Sequence, residues 1–133
     1  MIEIESDVFN EVATALRSAY SGVFVSGEYV ETPACFPCVT IVEADNRILE
    51  SMRTTNIENA VSVMYEINIY SNKVNGKKAE AKAIAATADT VMLSLGFTRT
   101  FSERVPNLND SSIYRIVCRY EAVVDKDLWI YQN

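Results

Sequence analysis

Cys35-Phe36-Pro37-Cys38 is the stretch whose residue types and spacing come nearest to chemistry. In a thiol oxidoreductase such a pair sits at a strand-to-helix turn, where the helix N-terminus lowers the pKa of the first thiol. Here the residues that follow, Val39-Thr40-Ile41-Val42, read as a strand instead. As a metal site the pair supplies two thiolates and Cys118 could add a third, whereas a closed zinc site takes four ligands. The chain contains no histidine, which removes Ser-His-Asp and Cys-His nucleophile systems and the commonest zinc ligand. Three cysteines cannot all pair, so packed thiols in a reducing compartment are the expectation.

The other chemical candidates are weaker. Asp125 with Asp127, or Glu43 with Asp45, could hold Mg²⁺, but such pairs arise by chance in an acidic chain and no Gly-rich phosphate loop accompanies them. Lys73, Lys77, Lys78 and Lys82 are interleaved with Ala and Glu80 and have no aromatic neighbours for base stacking, so they read as a solvated helix face. No catalytic residue, cofactor or metal is expected.

The elements that would position these residues follow from periodicity. Ser6 is placed as the cap of a first helix carrying Val8, Val12, Ala15, Leu16, Ala19 and Tyr20 at helical spacing, ended by Ser21-Gly22. Val23-Phe24-Val25 reads as a short strand, and residues 26–37, interrupted by Pro33 and Pro37, as irregular. After the strand Val39–Val42, the polar residues 44–59 are expected to form a long loop of the kind that is functional or mobile. Val61, Val63, Tyr65, Ile67 and Ile69 alternate with more polar residues in the clearest strand. A second helix is expected from about Lys77 to Leu95, with Ala81, Ile84, Ala88, Val91, Met92 and Leu95 buried and Gly96 as a left-handed C-cap. Strands over Phe97–Glu103 and Tyr114–Val124 follow, separated by a turn at Pro106-Asn107-Leu108-Asn109-Asp110. The order α-β-β-β-α-β-β predicts one α+β domain over residues 1–133, with two helices packed on one face of a mainly antiparallel sheet.

Composition bounds the partners. Hydrophobic residues make up 49% of the 133, enough for a core without staples. The acidic Met1-Ile2-Glu3-Ile4-Glu5 is not read as a signal peptide, and no apolar run approaches the roughly 20 residues that span a bilayer. A soluble protein is therefore expected. The net charge of −6 argues against nucleic-acid binding through phosphate neutralisation, although it would suit a channel through which DNA slides. The terminal cluster Leu128-Trp129-Ile130-Tyr131 must either return as a strand edge or dock on a partner, since chain ends are usually polar and frayed.

Three stretches carry a family resemblance: Tyr65-Glu66-Ile67-Asn68-Ile69-Tyr70-Ser71-Asn72, then Gly76-Lys77-Lys78-Ala79-Glu80-Ala81-Lys82, then Leu95-Gly96-Phe97-Thr98-Arg99. Together with the element order they make the chain resemble the small tail terminator proteins of long-tailed bacteriophages and prophages. These are also described as tail completion, head-tail joining or minor capsid proteins. The resemblance runs from the first helix to the last strand. It implies a non-catalytic α+β subunit that forms a six-membered ring at the head-proximal end of the tail tube and stops tube polymerisation. The implied partners are further copies of the chain, the tail tube protein and the head connector or completion protein, with DNA only passing through. A monomer in dilute solution is compatible with this. The implied location is the virion, at the head-tail junction, after synthesis in the bacterial host cytoplasm. By position, the contact residues would be Arg47, Leu49, Met52 and Arg53 in the long loop and Leu128, Trp129, Ile130 and Tyr131 at the end. The alternatives are a head-completion or connector subunit and, in another class, a small cytosolic thiol oxidoreductase using Cys35 and Cys38.

Overall fold

Strand β3 (Ala60–Ser71) lies at the centre of the sheet, and its alternating pattern puts Val61, Val63, Tyr65, Ile67 and Ile69 into the main core. The computed structural model describes residues 1–49, 59–106 and 110–132. Their elements are α1 (Glu5–Ala19), β1 (Phe24–Ser26), β2 (Cys38–Ile48), β3, α2 (Lys77–Ser94), β4 (Thr98–Arg104), β5 (Tyr114–Asp125) and β6 (Ile130–Gln132). The strands form one sheet in the order β1-β2-β3-β5-β4, antiparallel except for β1 against β2. Beyond the end of β4, the short β6 pairs with the same edge of β5. The fold is α+β, as the periodicity predicts, with this added terminal strand.

Both helices cover one face. α1 lies over β2, and α2 lies over β3 and β5. α1 buries Val8, Val12, Ala13 and Leu16, and α2 buries Ala81, Ile84, Ala88 and Met92. The small side chains Ala81 and Ala88 let α2 approach the sheet closely, and its many alanines favour the helix intrinsically. α2 ends in a Schellman motif. The Phe97 N–H donates to Met92 O at 3.1 Å and the Gly96 N–H to Leu93 O at 3.1 Å, with Gly96 at φ +103°. Phe97, thereby turned inward, meets Tyr65 edge-on at 5.4 Å between ring centroids. Truncating Phe97 to Ala would cost about 3–5 kcal/mol.

Buried tyrosines need partners for their hydroxyls, and these partners tie the layers together. The half-buried Tyr20, just past the end of α1, donates to Ala83 O of α2 at 2.8 Å, and the buried Tyr120 donates to Asp89 Oδ1 at 2.8 Å. Tyr65 donates to Glu43 Oε1 at 3.1 Å. On the opposite face, Tyr70 donates to Val30 O at 2.8 Å, which holds residues 27–37 across one end of the uncovered sheet surface. There Phe36 packs on a small second core of Cys38, Tyr70 and Ile113.

Two expectations are corrected. Ser6 does not cap α1: the helix starts at Glu5 with Ile4 in the cap position and no side-chain cap bond. Ile2 and Ile4 are buried in the core, so apolar packing, not a hydroxyl, fixes how the chain enters the helix. Residues 44–48 are not loop, because β2 continues to Ile48 past a bulge between Glu43 and Asp45. The bulge breaks the two-residue alternation, and this end of the strand is largely exposed, so polar residues there do not oppose pairing. Residues 50–58 of that expected loop, with Met52 and Arg53, lie outside the described residues, as do Asn107, Leu108 and Asn109 of the expected turn.

Candidate interaction surface

The terminal cluster divides between core and solvent. Ile130 packs against the core, whereas Leu128, Trp129 and Tyr131 are 48%, 68% and 52% exposed. The β5–β6 turn that presents them is built around Asp125. Its carboxylate accepts the Asp127 N–H at 2.9 Å and the Trp129 N–H at 3.0 Å through Oδ1, and the Tyr131 hydroxyl at 3.1 Å through Oδ2. The backbone closes the same turn, with Leu128 N–H donating to Asp125 O at 2.9 Å and Asp125 N–H to Trp129 O at 3.1 Å. Leu128 adopts φ +66°, a left-handed conformation uncommon for a branched side chain, which this bonding holds in place. Partial desolvation would raise the Asp125 pKa, but the Trp129, Tyr131 and Asp127 hydrogen bonds outweigh it and hold the carboxyl below its usual range. The same bond pushes the Tyr131 hydroxyl up.

Strand register brings this turn into line with the other segment singled out by position. Arg47 pairs with Ser62, Ser62 with Val123, and Val123 with Tyr131, one row across the uncovered face. Three strand spacings separate its ends, about 14 Å. The next row, on the helix-bearing face, runs Ile48, Val61, Val124, Ile130. Ile48 at its free end is 44% exposed. Arg47 is exposed and paired with Asp45 at 2.9 Å, a surface contact worth at most about 1 kcal/mol. Leu49 is half-buried, and its N–H donates to Ala60 O at 3.0 Å. Arg47, Leu49 and the terminal turn thus share one end of the sheet, although they are some 80 residues apart in sequence. The contribution of Asp125 is not visible in its residue type, since an Asp at a strand end is commonplace.

Further along the uncovered face a polar ladder crosses β3 and β5. Arg115 donates to Asn68 Oδ1 from Nε at 3.0 Å and Nη2 at 2.7 Å, and Asn68 Nδ2 donates to Glu66 Oε1 at 3.0 Å. Arg119 closes on Glu66 Oε2 at 3.3 Å and stacks over Phe101. These residues are satisfied by one another, and Arg115 also lies over the exposed Tyr29 ring at 6.0 Å.

The cysteines lie where thiol chemistry is disfavoured. Cys38 is the first residue of β2, so no helix begins at the pair, and burial together with Cys35 pushes its thiol up to about 11. Cys35 is exposed. Cys118 pairs in register with Ile67 on the helix-bearing face, opposite to Cys38, which pairs with Tyr70. It is therefore on the wrong side of the sheet to complete a site with them. Glu43 and Asp45 point to opposite faces across the bulge, and both Asp125 oxygens are engaged in the turn. No helix among the described residues is long and apolar enough to cross a membrane.

No protein-family model matches the chain, and no curated protein matches its sequence.

Proposed function

We propose that this chain is a structural virion subunit, a tail terminator that assembles as a ring on the head-proximal end of a phage tail tube. It stops tube growth and presents a surface to the head connector or completion protein, while DNA passes through its channel. It acts by contact, without a catalytic centre or cofactor. The observation that carries this reading is the β5–β6 turn: three large apolar side chains stand exposed on a tip that Asp125 fixes. Apolar side chains gathered at the surface mark protein contacts, and a tip already ordered loses little entropy on docking. The acidic balance of the chain supports passage of DNA without adhesion.

The binding step is tested with purified tail tubes of the same phage, imaged after addition of gold-labelled protein. Label confined to one end of each tube is expected. Label on head connectors with none on tubes would make the chain a head-completion subunit, and label along the tube wall would defeat both readings.

A further inference from the structure

Two helices cannot cover this sheet. A packed helix spans about 10 Å and so covers about two strands. With α1 over β2 and α2 mainly over β3 and β5, β4 is covered only in part by α2 on the helix-bearing face. The result is a groove of about 720 Å³ between α2 and β4, floored by Tyr114, Cys118 and Tyr120 of β5. Its walls carry Lys78 and Lys82 from α2 and Arg104 from β4, with the acidic Glu103 beside Arg104. Arg99 at the far end is already engaged with Asp89 at 3.1 Å. Among the described residues Lys78, Lys82 and Arg104 make no ion pair, and Arg104 lies over the Tyr114 ring at 5.2 Å. Three unpaired cations on one groove are notable in a chain of net charge −6.

The opposite edge of the same face has the complementary defect. β1 pairs only with the first residues of β2, and among the described residues no strand pairs with that edge of β2 beyond Thr40. There the carboxylate oxygens of Glu3, Glu5 and Glu43 lie within 4.8 Å of one another. Backbone contacts hold them together: Glu5 accepts the Glu43 N–H at 3.1 Å and Glu3 accepts the Glu5 N–H. Desolvation and the two neighbouring carboxylates push the Glu43 carboxyl up, and the hydrogen bonds it accepts from Tyr65 and Asn46 offset this only in part.

We infer that the α2–β4 groove binds the Glu3/Glu5/Glu43 corner of a second copy of this chain. Because the two patches occupy opposite edges of the sheet, the contact is head to tail, the kind that closes into a ring or continues as a filament. The inference deepens the ring reading and rests on it for the expectation that copies meet at all. It also gives Lys78 and Lys82 a partner, where their spacing alone suggests only a solvated face.

The test is NMR on the isolated ¹⁵N-labelled chain, from micromolar to millimolar concentration at low salt. Concentration-dependent shifts are expected at both the groove and the acidic corner, fading at high salt as exposed charges are screened. Lys78→Glu/Lys82→Glu, at exposed positions without contacts to lose, should weaken association about tenfold or more. Mixing that variant with Glu3→Lys/Glu5→Lys protein should restore it, whereas each variant alone should remain weakened. Absence of concentration-dependent shifts, shifts confined to the β5–β6 turn, or an unaffected Lys78→Glu/Lys82→Glu variant would each overturn the inference. Tube capping is scored separately. Failure to cap with the groove contact intact removes the terminator reading alone, and capping without the contact removes this one alone.

Discussion

Tyr131 and Asp125 lock the last turn of the chain together: the tyrosine hydroxyl donates to Asp125 Oδ2 at 3.1 Å, while the other carboxylate oxygen holds the Trp129 N–H. The only tryptophan is thus displayed by a carboxylate. Because the Asp125 pKa is lowered in the folded state, its contribution to the turn is present above the ordinary carboxylate pKa and is lost as pH falls through the lowered folded value. Hydrogen exchange at the Trp129 amide should accelerate over that acidic window, beyond the intrinsic pH dependence. Asp125→Ala should abolish the window and leave the amide unprotected at neutral pH. Persistent protection in Asp125→Ala would show that the backbone bonds alone hold the turn.

Gly96 supports the same strand from below. A Cβ there would lie 3.2 Å from Ile130 Cγ2 and 3.3 Å from Ile130 O, and the residue sits at φ +103°. Gly76, at φ +100°, has nothing within 4 Å of such a Cβ. Both Gly→Ala variants should lose about 1–2 kcal/mol for the left-handed backbone. Gly96→Ala should lose more, and only it should alter Trp129 fluorescence. Equal losses in urea denaturation would mean that β6 yields freely at this contact.

The cysteines should behave as unequal thiols. In native protein at mildly alkaline pH, iodoacetamide should modify Cys35 and spare Cys38 and Cys118, which are buried and whose pKa values are raised by that burial. Cys35→Ser should leave stability within about 0.5 kcal/mol. Cys38→Ser would bury a hydroxyl in the cluster with Tyr70 and Ile113 and should cost about 1–3 kcal/mol. Rapid alkylation of Cys38, read by mass spectrometry, would reopen the thiol oxidoreductase alternative.

Where the local pattern and the tertiary environment agree, the fold is legible from residues alone. The alternation of Val61 to Ile69 places β3, and Gly96 ends α2 because only a residue free of a Cβ fits that left-handed position comfortably. Ser6 misleads because a hydroxyl at a helix start competes with two isoleucines whose burial decides the geometry. Residues 44–48 mislead because a bulge shifts the alternation and solvent covers one end of β2. The alignment of Arg47 with Tyr131 depends on three registers in succession, none of which leaves a local trace. The split of Ile130 from its exposed neighbours follows from its pairing with Val124, again a long-range fact.

The exposed position of Trp129 separates folding from function. Trp129→Ala should change global stability by no more than about 0.5 kcal/mol, since a 68% exposed side chain has little packing to lose. If it anchors a subunit contact, the same change should weaken assembly by about 2 kcal/mol or more. Urea denaturation of the monomer and sedimentation of the assembled form provide the two numbers. A large stability loss with unchanged assembly would return Trp129 to a purely structural role.

The most direct measurement is the length distribution of tail tubes polymerised from purified tube protein of the same phage, with and without this chain, by electron microscopy. Wild-type protein is expected to arrest growth and leave capped tubes at lengths that shorten with earlier addition, with Trp129→Ala arresting less efficiently. Tubes that continue to lengthen in the presence of saturating wild-type protein would contradict the terminator assignment.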